Sequence, residues 1–270
     1  MINYIRRYAN RIRRNNLRNS LTCATDRELL LRLKGTFKGQ RIFVIGNGPS
    51  LDADTLKKLM CTNLPSIASN KIYLIFSETS WRPDVYTVAD WCVAENNKER
   101  IRKLDLLKVF PNELKQYFGG NEAENGRSIF YEQFVPAPVD DDVYESYFMD
   151  DFLDKSFVGE TITNLNIQLA SFMGAAEIVL LGVDGRYKFS KQRIAHQHYQ
   201  EVFVAGDEVN HFHPDYRKKG ETWSVPRPEA HERNYQKCVE TLKAKGVRLL
   251  NASPNTEVEA IPKVSLRSVL

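Results

Sequence analysis

The sequence predicts an α/β fold in which a mostly parallel sheet carries helices on both faces. Two observations carry this expectation: short apolar runs alternate with segments of helical spacing, and the first run passes through a glycine turn into a helix. With 270 residues, 42% apolar and 27% charged, the chain has enough nonpolar material for one large domain with a lid and a tail.

In chain order, Asp26 to Leu33 reads as a short helix and Arg41–Ile45 as a buried strand. That strand runs into Gly46-Asn47-Gly48-Pro49-Ser50-Leu51 and then into helical spacing over Asp52–Met60. Further strands are expected at Ser66–Ser69, Val85–Ala89, Leu106–Phe110 and Ile129–Tyr131, with a helix-compatible stretch at Asn96–Leu107. A second unit comprises a helix over Ile162–Met173 and a strand over Glu177–Val183, and a helix at Glu229–Lys245 with a strand at Val247–Leu250 closes the fold. Phe118–Arg127, Pro136–Asp154 and Tyr187–Pro228 show no clear period, and long aperiodic stretches of this kind serve as lids or binding loops. The organisation expected is a basic tail and short helix over 1–39, a catalytic domain over 40–256 with a lid within about 187–228, and an extension over 257–270.

The net charge of +4 is unevenly spread. Arg6, Arg7, Arg11, Arg13, Arg14 and Arg18 stand in the first eighteen residues without an acid, leaving 32 basic against 34 acidic residues elsewhere. The body is therefore not a nucleic-acid clamp. In the tail, Ile5, Tyr8 and Ile12 recur at helical spacing, which suits a helix lying on an anionic membrane surface; a frayed extension, or a helix docked on its own domain or on a sister subunit of a homo-oligomer, fits as well. No apolar stretch approaches the roughly 18 residues of a membrane span, and Met1–Ser20 lacks the apolar middle of a secretory signal. The expected location is the cytoplasm, at the inner membrane face if the tail binds lipid. Cys23, Cys61, Cys92 and Cys238 form no CxxC pair and are expected to be buried free thiols.

The glycine turn is the most informative local feature. Two glycines let the backbone bend sharply and approach a ligand, and the following helix turns its free N–H groups toward the same point, where a phosphate or carboxylate is the natural guest. The turn is neither a P-loop nor a full GxGxxG fingerprint, since Leu51 stands where the third glycine belongs. Sheets of this class bind ligands beyond the carboxyl ends of their strands, which singles out Asn47, Asn70, Asp90 and Asp184. In the aperiodic segment, His196, His198, His211 and His213 admit either a metal site or, with more reason, a histidine general base. The run Asp140–Asp142, with Asp150, Asp151 and Asp154, is a solvated loop or a magnesium site.

Taken together, Ile45–Leu51, Ser69-Asn70, the Thr161-containing helix leading to Leu181-Gly182-Val183-Asp184, His211 and Asn251-Ala252-Ser253-Pro254-Asn255 resemble the bacterial lipooligosaccharide sialyltransferases. The same outline is similar to the broader family named after an archaeal 6-hydroxymethylpterin diphosphokinase. The resemblance runs from about Gln40 to Thr256 and implies a Rossmann-like domain that transfers an acidic sugar from a CMP-activated donor to a glycan or glycolipid acceptor, with inversion and without a required cofactor. It implies that Gly46, Asn47, Gly48 and Ser50 hold the phosphate and sugar side of the donor, that Asn70 and Asp90 flank it, and that Thr161 and Thr163 face the sugar carboxylate. Asp184 would close the same rim, Asn251 and Ser253 would lie near the cytidine, and His211 would be the general base. A tyrosine pair for the leaving phosphate is not evident after Asp184; Arg186, with Tyr187 or Tyr199, would be the group to meet it. The diphosphokinase alternative would instead require Mg2+ on Asp140–Asp142 or Asp184, and a subunit that binds nucleotide without turnover is the third reading.

Overall fold

In the computed structural model, residues 24–119, 127–136, 145–187, 193–197, 200–205, 210–224 and 227–270 are described. The basic tail, Asp140–Asp142, His198 and Tyr199 lie outside them, as does the side chain of His196.

The first described element is helix α1 (Asp26–Leu33), closed at its start by a capping box in which Thr25 and Glu28 satisfy each other's backbone N–H groups. Its Leu29, Leu30 and Leu33 are buried, so this helix belongs to the body rather than to a detached tail. Strand β1 (Arg41–Ile45) leads to α2 (Ala53–Thr62), β2 (Ser66–Ser69), β3 (Val85–Thr87), α3 (Trp91–Arg102), β4 (Lys108–Pro111), the single turn α4 (Lys115–Phe118) and β5 (Ser128–Tyr131). Short strands β6 (Gln133–Phe134), β7 (Asp150–Asp151) and β8 (Lys155–Phe157) make a small separate sheet. Then come α5 (Ile162–Phe172), β9 (Glu177–Leu181), β10 (Arg193–Gln197), β11 (Gln200–Val204), β12 (Thr222–Ser224), α6 (Pro228–Ala244) and β13 (Arg248–Asn251).

Seven strands form one sheet in the order β13-β9-β1-β2-β3-β4-β5, with every pairing parallel. This is a Rossmann-like α/β fold. Strand β1 shows why both faces must be covered. Ile42 and Val44 pack into the apolar cluster that includes residues of α1, α5 and α6, whereas Phe43 and Ile45 pack into the cluster that includes residues of α2 and α3. Strand β9 divides the same way, with Ile178 and Leu180 on one side and Val179 and Leu181 on the other. The sheet grows outward from β1 in both directions, so the chain reverses its winding between β1 and β9. At such a point the loops leaving neighbouring strands part and open a crevice.

Three expectations are corrected. The helix predicted over Asn96–Leu107 lies at Trp91–Arg102, because Asp90 caps it by accepting hydrogen bonds from the Cys92 and Val93 amides at 2.7 and 3.3 Å. The aperiodic Tyr187–Pro228 contains the antiparallel sheet β10-β11-β12, whose strands mix polar and apolar residues and so form no continuous apolar runs. Cys92 and Cys238 are buried as expected, but Cys61, near the end of α2, is exposed. At the end of the chain, Val258 and Ile261 join the core, and residues 257–270 pack as part of the body.

Strand β12 and the loop before it are held against the rim of the parallel sheet. The Phe212 amide donates to the Asn47 carbonyl at 3.1 Å, Ser224 donates to Asp90 at 2.9 Å, and buried Lys71, just past β2, pairs with Glu221. These contacts place β12 and the loop before it at the mouth of the crevice.

Candidate functional site

The crevice between the ends of β1 and β9 is a cleft of about 780 Å³. Its near wall is made of backbone. The Gly46 amide donates to the Leu181 carbonyl at 2.7 Å and the Gly48 amide to the Gly182 carbonyl at 2.8 Å, so the two strand ends are stitched together past the sheet. Gly182 has a φ of 67°, the left-handed conformation that favours glycine. A Cβ on Gly46 would lie 2.4 Å from the Gly182 carbonyl oxygen, and one on Gly48 would lie 2.1 Å from Asp184 Oδ2. The glycines are thus explained first by the approach of β9.

Asp184 occupies the place expected for a ligand's anion. Its Oδ2 accepts the Ser50 amide at 3.0 Å, and Asp52, the N-cap of α2, accepts the Thr55 amide at 2.6 Å. The opening of α2 is therefore met by the chain's own carboxylates, which corrects the expectation of an open phosphate cradle there. Ser50 Oγ is buried without a hydrogen-bond partner, as are Asn47 Oδ1 and Asn70 Oδ1. Asn47 uses its Nδ2 on the Ser69 carbonyl at 3.2 Å, which fixes the amide so that the oxygen is the orphaned atom. Asn70, with a φ of 54°, hydrogen-bonds the Tyr216 hydroxyl through its side chain.

Asn47, Gly48, Asn70, Asp90, Thr161, Thr163, Asp184, Arg186, Tyr187 and His211 all line this cleft. Thr161 is the N-cap of α5, accepting the Thr163 amide at 3.3 Å. Asn251 and Ser253 do not line it. Asn251 Nδ2 donates to the Val183 carbonyl at 3.0 Å and Ser253 Oγ accepts the Val183 amide at 2.8 Å, so this pair braces the backbone leaving β9. Arg186 reaches the Asn255 carbonyl at 2.6 Å and Glu257 at 3.0 Å, which turns its guanidinium toward the rim.

Between the two candidate bases the structure makes a clear distinction. His213 accepts the Asp215 amide at Nδ1, 3.0 Å away, and caps the short helical turn Pro214–Tyr216. His211 lies in the cleft wall, its ring stacked on that of Tyr216 with centroids 3.7 Å apart. Burial holds its pKa well below the usual histidine value, aided by the charges of Arg217 and Lys71. The imidazole is therefore neutral at pH 7, with a nitrogen able to take a proton.

Three cleft residues were not singled out from the sequence. Arg217 stacks on Trp223, its guanidinium carbon 3.2 Å from the ring centroid. His231, on α6, lies with Nε2 2.9 Å from the Glu160 carbonyl and Nδ1 3.3 Å from the Tyr187 hydroxyl. A carbonyl only accepts, so Nε2 carries the proton and Tyr187 donates to Nδ1. His231 escaped notice because it sits inside a helical period and reads as core. The only signal for Arg217 and Trp223 was their place in the aperiodic stretch.

Burial pushes His231 down to about 4, against the opposing influence of the Glu160 carbonyl and Glu229. An unfolded histidine takes up its proton near pH 6.5 and this one near 4, so over that interval the unfolded state binds more protons. Stability falls as pH drops from about 6.5 to about 4, by about 3 kcal/mol from this group. His231→Gln should flatten that limb of the urea midpoint against pH, although His211 contributes in the same direction. An unchanged limb would contradict the assignment.

Among the described residues no three His, Cys, Asp or Glu side chains converge to hold a metal ion, and no helix is long and apolar enough to cross a membrane. No curated protein matches the chain. The model of the family described as 6-hydroxymethylpterin diphosphokinase MptE-like matches residues 14–189, a span that takes in the glycine turn, α5 and the Gly182-Val183-Asp184 end of β9, and the chain belongs to that family.

Proposed function

We propose that the protein is a glycosyltransferase that moves an acidic sugar from a CMP-activated donor to a glycan or glycolipid acceptor. The observation that carries this reading is a neutral, buried imidazole, His211, in a cleft whose walls also carry the uncharged hydroxyl and amide side chains of Asn47, Asn70, Thr161 and Thr163. Such a wall suits the many hydroxyl groups of a sugar, and the cleft volume suits a nucleotide-sized ligand.

In the reaction, the acceptor oxygen attacks the anomeric carbon as the bond to the CMP phosphate oxygen breaks, its electron pair leaving with the phosphate. The acceptor proton passes to His211. A weak base serves here, because a hydroxyl oxygen bonding to an oxocarbenium-like carbon becomes strongly acidic late in the step. Single displacement inverts the centre. The family description names a diphosphokinase, which supports a transferase and favours a second reading, diphosphoryl transfer, for which a magnesium ion would be the expected partner of the phosphates. The described cleft offers no converging set of metal donors, and Asp184 already holds the Ser50 amide, so no step is drawn through a metal. The arginine-rich tail, outside the described residues, would suit a lipid-linked acceptor at an anionic membrane surface.

Thermal unfolding with CMP, and separately with ATP and magnesium, tests the reading. A ligand at about a hundred times its dissociation constant adds roughly 2.7 kcal/mol to folded stability. Stabilisation by CMP and release of CMP from a CMP-activated keto-acid sugar are expected. Stabilisation by ATP and magnesium alone would replace this reading with the diphosphokinase one.

A further inference from the structure

A second hollow, of about 1190 Å³, opens at the opposite end of the strands that form the cleft. Parallel pairing creates it. The first residues of β1, β9 and β13 lie side by side, Arg41 and Arg248 each in register with Glu177, so their three side chains leave one face of the sheet together. It is the face covered by α2, because Val179 and Leu181, further along β9 on the same side, pack in one cluster with Leu56 and Leu59 of that helix. Glu177 is 5% exposed, and its carboxylate accepts a hydrogen bond from Arg41 at one oxygen and ion-pairs with Arg248 at the other. Arg41 also donates to the Val269 carbonyl at 2.6 Å, which ties the segment around Val269 to the same wall. One buried carboxylate thus holds two guanidiniums in place while balancing the charge of only one. Lys58 on α2 and Arg267 bring further cations to the wall, and among the described lining residues Glu177 is the one acidic side chain. A terminal carboxylate on Leu270 would still leave the cations in excess.

We infer that this hollow binds a phosphate group, carried by a soluble ligand or by a lipid headgroup. An excess of several positive charges in a concave wall focuses its field on a multiply charged anion. A phosphate monoester carries about −1.5 to −2 at pH 7, more than a single carboxylate. Guanidiniums suit it further, since each presents its N–H groups as a fork that matches phosphate oxygens. The inference goes beyond the proposed function and does not rest on it: the hollow lies at the far end of β1 and β9 from the cleft, whatever the cleft binds.

Cys61 supplies the readout. It is exposed and lines the hollow, whereas Cys92 and Cys238 are buried, so in a Cys23→Ser chain the alkylation rate follows this wall. Inorganic pyrophosphate at about ten times its dissociation constant, with ionic strength matched by sodium chloride, should slow alkylation of Cys61 by about tenfold. The double variant Lys58→Gln/Arg267→Gln should raise the pyrophosphate concentration needed by about tenfold or more, in line with loss of charge-assisted contacts. Both side chains are exposed, and the Glu177 pairing with Arg41 and Arg248 is left intact, so the variant keeps the fold. Phosphatidylcholine vesicles with and without phosphatidic acid form the second arm. Protection by pyrophosphate assigns a soluble ligand, and protection by phosphatidic acid alone assigns a headgroup; either upholds the site if the double variant loses it. Protection that sodium chloride reproduces, that survives in the double variant, or that neither phosphate source gives, overturns the inference. Cys61 does not line the cleft, so anion binding there leaves this readout unmoved and the fate of the glycosyl reading stays separate.

Discussion

His211→Ala is expected to lower turnover of a CMP-activated sugar by about a hundredfold or more, with CMP affinity changed much less. The expectation follows from position and protonation together. The ring is anchored flat against Tyr216 in the cleft wall, and burial keeps it neutral, so a ring nitrogen has a free electron pair throughout the ordinary pH range. Its pH profile should therefore lack an acid limb near pH 6.5, the value of an unperturbed imidazole. Charge on a bound donor would offset Arg217, one of the two cations holding the pKa down, and so raise His211 when the donor is present. Single-turnover rates across pH would report both effects. Wild-type rates in His211→Ala would remove the base from the mechanism, and His213 does not inherit the role because it caps a helical turn.

Gly46→Ala should cost about 3 kcal/mol or more of folded stability, read from the urea midpoint. The new methyl would stand 2.4 Å from the Gly182 carbonyl oxygen and 2.8 Å from Val183 Cγ2. The carbonyl is backbone, held between two hydrogen-bonded strand ends, and has nowhere to go. Gly48→Ala should be milder: its closest clash is with the end of the Asp184 side chain, which can swing aside at the expense of the Ser50 amide. A Gly46→Ala chain within about 0.5 kcal/mol of wild type would mean that β1 and β9 do not meet as described.

The parallel sheet was legible because its strands are buried on both faces and read as continuous apolar runs; Arg41–Ile45 and Ser66–Ser69 fall where those runs fall. Strand-end positions such as Asn47, Asn70 and Asp184 were legible for a related reason, since the end of a run marks the rim of the sheet. What the sequence hid depends on contacts distant along the chain. Nothing around Asp184 announces that its carboxylate reaches back to Ser50, or that Asn251 and Ser253 brace Val183 instead of lining the cleft. Strands β10–β12 were hidden by their mixture of polar and apolar residues, and His231 by the helix that carries it.

The pairing of Lys71 with Glu221 bears on how firmly β12 is held to the rim of the sheet. Both ions are dehydrated where they meet, and if β12 parted from the rim their rehydration would return much of the free energy that separating them removes. Parting β12 and its loop from the rim would therefore carry a small net electrostatic cost, even though the pair is well formed when they meet.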